Sequence, residues 1–154
     1  MNLSLWKTPT LVEITSGGGK ILLDEISISL NDYIIDFPGE YERSLIFIEA
    51  RQAESGLVYI ITLEGRTAIY LPPSTTVADL EILRDVNNRD IVIMPANEHL
   101  WKTVETWEAS VIVPYGTSTD EFLKKLWQII ESSLQATIKS SDFETEVTRF
   151  VALS

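Results

Sequence analysis

The stretch Leu57-Val-Tyr-Ile-Ile-Thr-Leu-Glu-Gly-Arg-Thr-Ala-Ile-Tyr-Leu71 predicts two paired β-strands, from which the rest of the fold can be worked out. Both arms are rich in β-branched and aromatic residues, which favour strands. Glu64-Gly65 lies between them, and a glycine there is typical of a hairpin turn. Residues 57–62 and 67–71 are therefore predicted to be neighbouring strands.

Shorter runs of the same kind precede this hairpin and predict a β-meander in the first half of the chain. The glycines Gly17 to Gly19 are predicted to form a turn between two strands. A phosphate-binding loop is not expected there, because an apolar strand follows instead of a helix with Lys and Ser or Thr in register. The predicted strands cover residues 10–15, 21–24, 26–30, 33–35 and 45–50.

After Pro72-Pro73 the pattern changes to alternating helices and strands. Continuous apolar runs at residues 90–94 and 111–113 indicate strands covered on both faces, and a last strand is predicted at 148–153. The predicted helices begin with capping boxes at Thr76 and Ser118 and with a cap at Asn97, and the helix after Ser118 is the longest, with apolar positions to Leu134. A meander followed by this alternation, without a linker, predicts a single α/β domain over residues 1–154.

The composition disfavours several classes of function. There are 23 acidic and 12 basic side chains, so the formal charge is -11 and neither nucleic acid nor an anionic membrane surface is expected as a partner. The absence of cysteine excludes disulfides and thiolate metal sites, and one histidine excludes a multi-histidine site. No apolar run reaches the roughly 18 residues of a membrane span, and no secretory signal is recognised, so a cytoplasmic location is expected.

The string Asp36-Phe-Pro-Gly-Glu-Tyr-Glu42, followed by residues 59–65 and 90–95, resembles the metallo-β-lactamase superfamily, in particular a branch of small bacterial metal-dependent hydrolase-like proteins that carry a PGEYE sequence. The order of the flanking elements agrees: a strand ends at Asp24, a late strand covers residues 111–114, and residues 140–146 precede the last strand. The resemblance spans most of residues 10–154. It implies a sandwich of two mixed β-sheets flanked by helices.

In that family three stations hold one or two metal ions: an HxHxDH loop, a later Asp and a late His. The chain differs from this pattern at all three. No histidine lies between Asp24 and Ile34, which implies that the first metal-binding loop and its helix are missing. Tyr70-Leu-Pro-Pro73 stands at the second station, and Val113-Pro-Tyr115 at the third. The resemblance therefore implies a truncated, degenerate and metal-free relative.

Our first hypothesis is a non-catalytic protein without a cofactor, which acts through protein–protein contact or self-association because the missing segment uncovers apolar surface. The alternative is a divalent-metal-dependent hydrolase with an altered, carboxylate-based site, formed from Asp24, Asp36, Glu40, Asp90 and His99. A third possibility is a module that binds a small cationic or neutral ligand in the residual pocket.

A structural role is also open for some of these residues. Asp36 and Glu40 could accept main-chain N–H bonds in the Pro38-Gly39 turn, with Tyr41 packed beneath it. His99, at the start of a predicted helix, could be solvated or take part in capping.

Overall fold

The computed structural model describes residues 2–7, 12–128, 132–133 and 135–153. Its strands and helices are numbered here in chain order. The strands are β1 Asn2–Lys7, β2 Val12–Ser16, β3 Gly19–Leu23, β4 Ile28–Leu30, β5 Tyr33–Ile35, β6 Gly39–Arg43, β7 Ile46–Ala53, β8 Gly56–Leu63, β9 Arg66–Tyr70, β10 Ile91–Pro95, β11 Val111–Tyr115, β12 Gln135–Lys139 and β13 Arg149–Phe150. The helices are α1 Glu98–Val104 and α2 Thr119–Lys125, with 3-10 turns at Ala78–Leu83, Glu105–Trp107 and Ser140–Phe143.

The strands form two sheets, which confirms the predicted sandwich. The six-stranded sheet has the order β12-β1-β2-β3-β4-β5, and the seven-stranded sheet the order β13-β11-β10-β9-β8-β7-β6. In the second sheet β9, β10, β11 and β13 are parallel and the others antiparallel, so this sheet is mixed as expected. The first sheet differs from the expectation: its pairs are all antiparallel, because β2 to β5 follow one another through short turns.

The main core lies between the two sheets and follows the period of two along their strands. In β2 and β3 every second side chain is buried. Gly19 occupies an inward position of β3, where an added Cβ would collide with Ile46 Cδ1 of the other sheet. The sheets therefore approach closely beside the Gly17-Gly18 turn, which is present where the sequence predicts it.

A second core lies on the outer face of the seven-stranded sheet, beneath α1, α2 and the 3-10 turns at 78–83 and 105–107. Ile91 to Met94 and Val111 to Pro114 are buried at every position, which confirms the strands predicted to be covered on both faces. These helical segments pack on the seven-stranded sheet, and the remaining 3-10 turn, at 140–143, contacts the inter-sheet core through Phe143. Within the described ranges, both α-helices therefore lie on one side of the sandwich. Residues 24–27 join β3 to β4 in a tight turn, closed by a 3.0 Å bond from Asp24 N to Ser27 O.

Several predicted boundaries are wrong. The helix after Ser118 ends at Lys125, because Trp127 adopts a left-handed φ of 58° and Gln128 N bonds back to Leu123 O. Ser118 makes no capping bond, and the predicted positions Ile129, Ile130 and Leu134 lie outside the described residues. Strands β1, β6 and β12 were not predicted. No described helix is long and apolar enough to span a membrane.

Candidate functional site

Three tyrosines meet near the carboxyl ends of the parallel strands. Tyr70 ends β9, Tyr115 ends β11, and Tyr59 pairs with Tyr70 across β8 and β9. The Tyr59 and Tyr70 rings stack with centroids 5.8 Å apart, and those of Tyr70 and Tyr115 are tilted with centroids 6.2 Å apart. Tyr59 and Tyr70 are fully buried. We call these three residues the tyrosine cluster.

Each hydroxyl in the tyrosine cluster donates to a main-chain carbonyl. Tyr70 donates to Asp24 O at 2.6 Å and Tyr59 to Ile35 O at 3.3 Å, so both connect the seven-stranded sheet to the six-stranded one. Tyr115 donates to Leu71 O at 2.6 Å, across the end of β10. The hydroxyl protons are therefore used to hold strand ends together.

The tyrosine cluster joins the three positions at which the family resemblance expects metal ligands. Asp24 follows β3, Tyr70 ends β9 and Tyr115 ends β11, and the Tyr70 hydroxyl and ring touch the other two. Metal sites of this kind need imidazole and carboxylate ligands that converge on one point. Phenols that donate to carbonyls do not supply them, so the residues present at the three stations do not fit a metal ion.

Burial keeps the tyrosine cluster neutral. It raises the pKa of Tyr59 to about 12, helped by the charge of Asp36. Burial likewise raises the pKa of Tyr70 and that of Tyr115, and the charge of Tyr70 adds to the shift of Tyr115. None of the three phenols is poised to act as a base or an anionic ligand at neutral pH.

Three of the predicted carboxylates lie around this end of the sandwich. The Asp24 carboxylate is half-buried and accepts the Glu25 N–H at 2.7 Å. Asp36 follows Ile35, which receives the Tyr59 hydroxyl, and is exposed. Glu40 is exposed on β6.

The hydrogen bonds of the turn between β5 and β6 differ from those that the sequence suggested. No described hydrogen bond reaches the carboxylate of Asp36 or Glu40. Tyr41 is half-buried and its hydroxyl donates to Phe37 O at 2.9 Å. A phenol therefore closes this turn.

Asp90 and His99 stand at opposite ends of β10. Asp90 precedes the strand, and its carboxylate accepts the Thr67 N–H at 2.9 Å. His99 follows the strand, is exposed, and donates its main-chain N–H to the Asn97 side chain. Five strand residues span roughly 17 Å, whereas two ligands of one ion lie within about 5 Å of each other. Asp90 and His99 therefore cannot share an ion.

The described residues contain no group of three or more His, Cys, Asp or Glu side chains that could hold a metal ion. The rings of Tyr59 and Tyr70 are fully buried between the sheets. A cavity of about 680 Å³ lies elsewhere, on the other side of the seven-stranded sheet, with Trp101, Ile112 and Phe150 among its lining residues.

Apolar side chains are exposed next to the tyrosine cluster. Ile26 is 85% exposed, Phe37 70% and Ile34 62%. Because Ile28 pairs with Ile35, residues 26 and 37 lie beyond the same end of the β4–β5 pair, two residues along the chain from Asp24 and Ile35, whose carbonyls receive the Tyr70 and Tyr59 hydroxyls. We call Ile26, Ile34 and Phe37 the tip patch.

Sequence reasoning identified the three stations but missed that tyrosines fill the space between them. One signal was available in the sequence: Tyr59 and Tyr70 stand at positions that a hairpin centred on Glu64-Gly65 brings opposite each other.

Comparison with solved structures identifies the fold. The chain is similar to a crystal structure from Thermotoga maritima, assigned to the zinc-dependent hydrolases of the metallo-β-lactamase superfamily, with a TM-score of 0.72. The match covers 98% of both chains at 16% sequence identity, a level at which the likeness concerns the fold. No protein-family model matches the sequence, and no curated protein matches it.

Proposed function

From the metallo-β-lactamase fold of this chain, we propose that it is a non-catalytic bacterial protein that acts in the cytoplasm through contact with protein, either a second copy of itself or another chain. The observation that carries this proposal is the tyrosine cluster, which joins Asp24, Tyr70 and Tyr115 where the resemblance expects a metal centre. The protein keeps the sandwich and uses the former site for packing.

The chemistry of the tyrosine cluster supports the absence of catalysis. A hydrolytic metal site needs several convergent ligands and an open position for a bound water. Here the rings of Tyr59 and Tyr70 are fully buried, and the hydroxyls are engaged with carbonyls. Neither an open position nor an activated nucleophile remains between these strand ends.

The tip patch supports a role in protein contact. A large apolar side chain that is more than half exposed loses contact with water when a partner covers it, and clusters of such residues mark interaction surfaces. Ile34 lies on β5, and Ile26 and Phe37 lie beyond the same end of the β4–β5 pair. Ile26 belongs to the short turn at residues 24–27, whose Asp24 carbonyl receives the Tyr70 hydroxyl.

Metal analysis of protein purified without chelator tests the non-catalytic part. We expect substoichiometric zinc, manganese and magnesium, and no hydrolysis of a panel of esters and phosphodiesters. The carboxylate-based alternative has one observation in its favour, which is that Asp24 and Asp36 flank the same end of the sandwich. Stoichiometric metal, lost together with hydrolysis in Asp36→Asn, would establish that alternative.

Light scattering after size-exclusion chromatography, over a range of concentrations, tests self-association. We expect a concentration-dependent mass for the unmodified chain and a monomer for the double variant Ile26→Ser with Phe37→Ser. The matched control replaces Val77 and Val147, which are exposed elsewhere, by serine and should behave like the unmodified chain. A chain that stays monomeric throughout would reject self-association.

A further inference from the structure

Strand β6 forms one edge of the seven-stranded sheet. It pairs with β7 on one side, and no described strand pairs with its other side. An edge strand presents unpaired N–H and C=O groups on its free side, and these can pair with another extended chain. Residues 39–43 are thus available as a template for an added strand.

The two faces of β6 differ in chemistry. Tyr41 pairs with Ile48 of the inter-sheet core and packs against that core, so it faces inward, and its ring lies 6.0 Å from that of Tyr33. Glu40 and Glu42 alternate with it and face outward, where both are exposed. An added strand would meet an aromatic surface on one face and two carboxylates on the other.

A groove of about 380 Å³ continues the outer face of β6. It is lined by Glu40, Glu42, Phe47, Glu49, Ile60 and Thr62. Glu49 is paired with Arg51, whereas no described Lys or Arg pairs with Glu40 or Glu42. The groove therefore combines apolar walls with two carboxylates that lack a cation.

A second copy of the chain fits this edge poorly. In a two-fold antiparallel pair the symmetry axis passes through one residue and its own copy. An axis at Tyr41 sets Glu40 opposite Glu42 of the second copy, and an axis at Glu40 or Glu42 sets that residue opposite itself. Like charges directly opposite each other destabilise a strand pair, and the net charge of -11 adds to the repulsion.

We propose that β6 binds an extended segment of another protein in which apolar residues alternate with Lys or Arg, and that this segment adds a strand to the seven-stranded sheet. The inference rests on the proposed function and names a partner for it. The apolar side chains pack beside Tyr41 and Tyr33, and the cations lie beside Glu40 and Glu42. The same glutamates prevent the edge from pairing with itself.

The probe is an acetylated and amidated Val-Lys-Val-Lys-Val peptide, titrated into the full chain and followed by amide chemical shifts. We expect saturable shifts concentrated on residues 39–43 and on Phe47, with no binding of the Val-Glu-Val-Glu-Val peptide. The double variant Glu40→Lys with Glu42→Lys should weaken binding of the lysine peptide by about tenfold or more and should bind the glutamate peptide instead.

A charge-matched control separates the edge from the overall charge. Replacing Glu105 and Glu108 by Lys changes the net charge equally at two exposed positions outside the seven-stranded sheet. This variant should bind the lysine peptide within about twofold of the unmodified chain. Equal weakening in both double variants would overturn the proposal, because it would indicate attraction to net charge alone.

N-methylation tests the main-chain pairing directly. Alternate residues of an extended peptide point their N–H groups to opposite edges, so only one of the two alternating methylation patterns blocks pairing with β6. We expect one pattern to abolish binding and the other to preserve it. Retained binding with both patterns, or no binding of the unmodified peptide, would reject strand addition.

A failure of the peptide to bind β6 can be distinguished from a failure of the proposed function. A chain that is metal-free and inactive but does not bind the peptide contradicts only the assignment of β6. A chain with stoichiometric metal and hydrolytic activity contradicts the proposed function, whatever the peptide does.

Discussion

The hydroxyl of Tyr70 donates a 2.6 Å hydrogen bond to the main-chain carbonyl of Asp24. Tyr70 ends β9 in the seven-stranded sheet, and Asp24 follows β3 in the six-stranded one. Together with the bond from the Tyr59 hydroxyl to Ile35 O, this bond connects the two sheets at one end of the sandwich. This hydrogen bond is short, the tyrosine that donates it is buried, and its acceptor belongs to a turn of only four residues.

Removal of this hydroxyl should weaken the fold. In Tyr70→Phe the carbonyl of Asp24 loses its donor in a partly buried setting, so we expect the free energy of unfolding to fall by about 1–2 kcal/mol. Urea denaturation measures this free energy of unfolding. Tyr33→Phe is the control, because the Tyr33 hydroxyl makes no described hydrogen bond and its ring contacts survive, and it should stay within about 0.5 kcal/mol. Equal losses in the two variants would contradict the contribution of this hydrogen bond.

Alkaline pH should destabilise the protein through the tyrosine cluster. Because the pKa of Tyr59 is raised to about 12 from an ordinary value of 10.0, the folded chain holds a proton that the unfolded chain releases. The stabilisation is complete below pH 10 and is lost as the pH rises toward 12 and beyond, with a slope of about 1.4 kcal/mol per pH unit for each buried phenol.

Phenolate absorbance and circular dichroism, recorded on the same samples, check this expectation. Tyr59, Tyr70 and Tyr115, three of the five tyrosines, should ionise only as the folded signal is lost. Tyr70→Phe, with one buried phenol fewer, should lose stability less steeply above pH 10. Full ionisation of the native protein near pH 10 would contradict the neutral cluster.

Arg51 joins β7 to the 3-10 turn at 78–83 and to Asp85, which follows that turn. Its guanidinium donates to Ile82 O at 2.7 Å and to the Asp85 carboxylate at 2.6 Å, and it also binds Glu49. Arg51→Ala should lower the free energy of unfolding by about 1–2 kcal/mol, mainly because the Ile82 carbonyl loses a charged donor.

Arg84→Ala provides the matched comparison in the same denaturation experiment. Among the described residues, Arg84 forms an ion pair with Glu81 alone, and both side chains are more than two-thirds exposed. An exposed ion pair of this kind contributes little to stability, so we expect the free energy of unfolding of Arg84→Ala to change by less than about 0.5 kcal/mol. If the two variants lose the same stability, the link from Arg51 to Ile82 contributes nothing.

Substitution by alanine should lower the free energy of unfolding more at Asn97 than at Ser118. The Asn97 side chain accepts the N–H groups of His99 at 2.8 Å and Leu100 at 3.3 Å, so Asn97→Ala should cost about 1 kcal/mol. Ser118 makes no capping bond, and Ser118→Ala should change the free energy of unfolding by less than about 0.5 kcal/mol. Thermal unfolding of both variants measures the difference, and a larger loss in Ser118→Ala would contradict the assignment of the caps.

The parts of the fold that sequence reasoning predicted are those fixed by local patterns. The hairpins at Gly17-Gly18 and Glu64-Gly65 depend on glycine and on alternation within a few residues. Strands β10 and β11 depend on short apolar runs, which are typical of a strand covered on both faces. The cap at Asn97 likewise depends on its immediate neighbours.

The elements that were missed depend on distant partners. β12 contains one fully buried residue, Ile138, and becomes a strand because it pairs with β1, where Asn2 stands opposite Lys139. The sequence predicts a turn at Pro38-Gly39 and no strand after it, yet pairing with β7 makes residues 39–43 a strand. Tertiary contacts decide both cases, and no window of neighbouring residues contains them.

The candidate site was predicted in outline only. The chain positions of Asp24, Tyr70 and Tyr115 were singled out, but their meeting depends on the register of strands from two sheets. The separation of Asp90 from His99 was readable in advance, since one precedes and the other follows the same predicted strand.

The pairing of β12 with β1 has a consequence for how the protein is made. The six-stranded sheet joins residues 2–7 to residues 135–139, so one of its outer strands cannot pair until residues 135–139 have left the ribosome. Hairpins such as β2–β3 and β7–β8 can form during synthesis, because their partners are neighbours in sequence. Completion of the sandwich therefore waits for a strand that is distant in sequence from its partner.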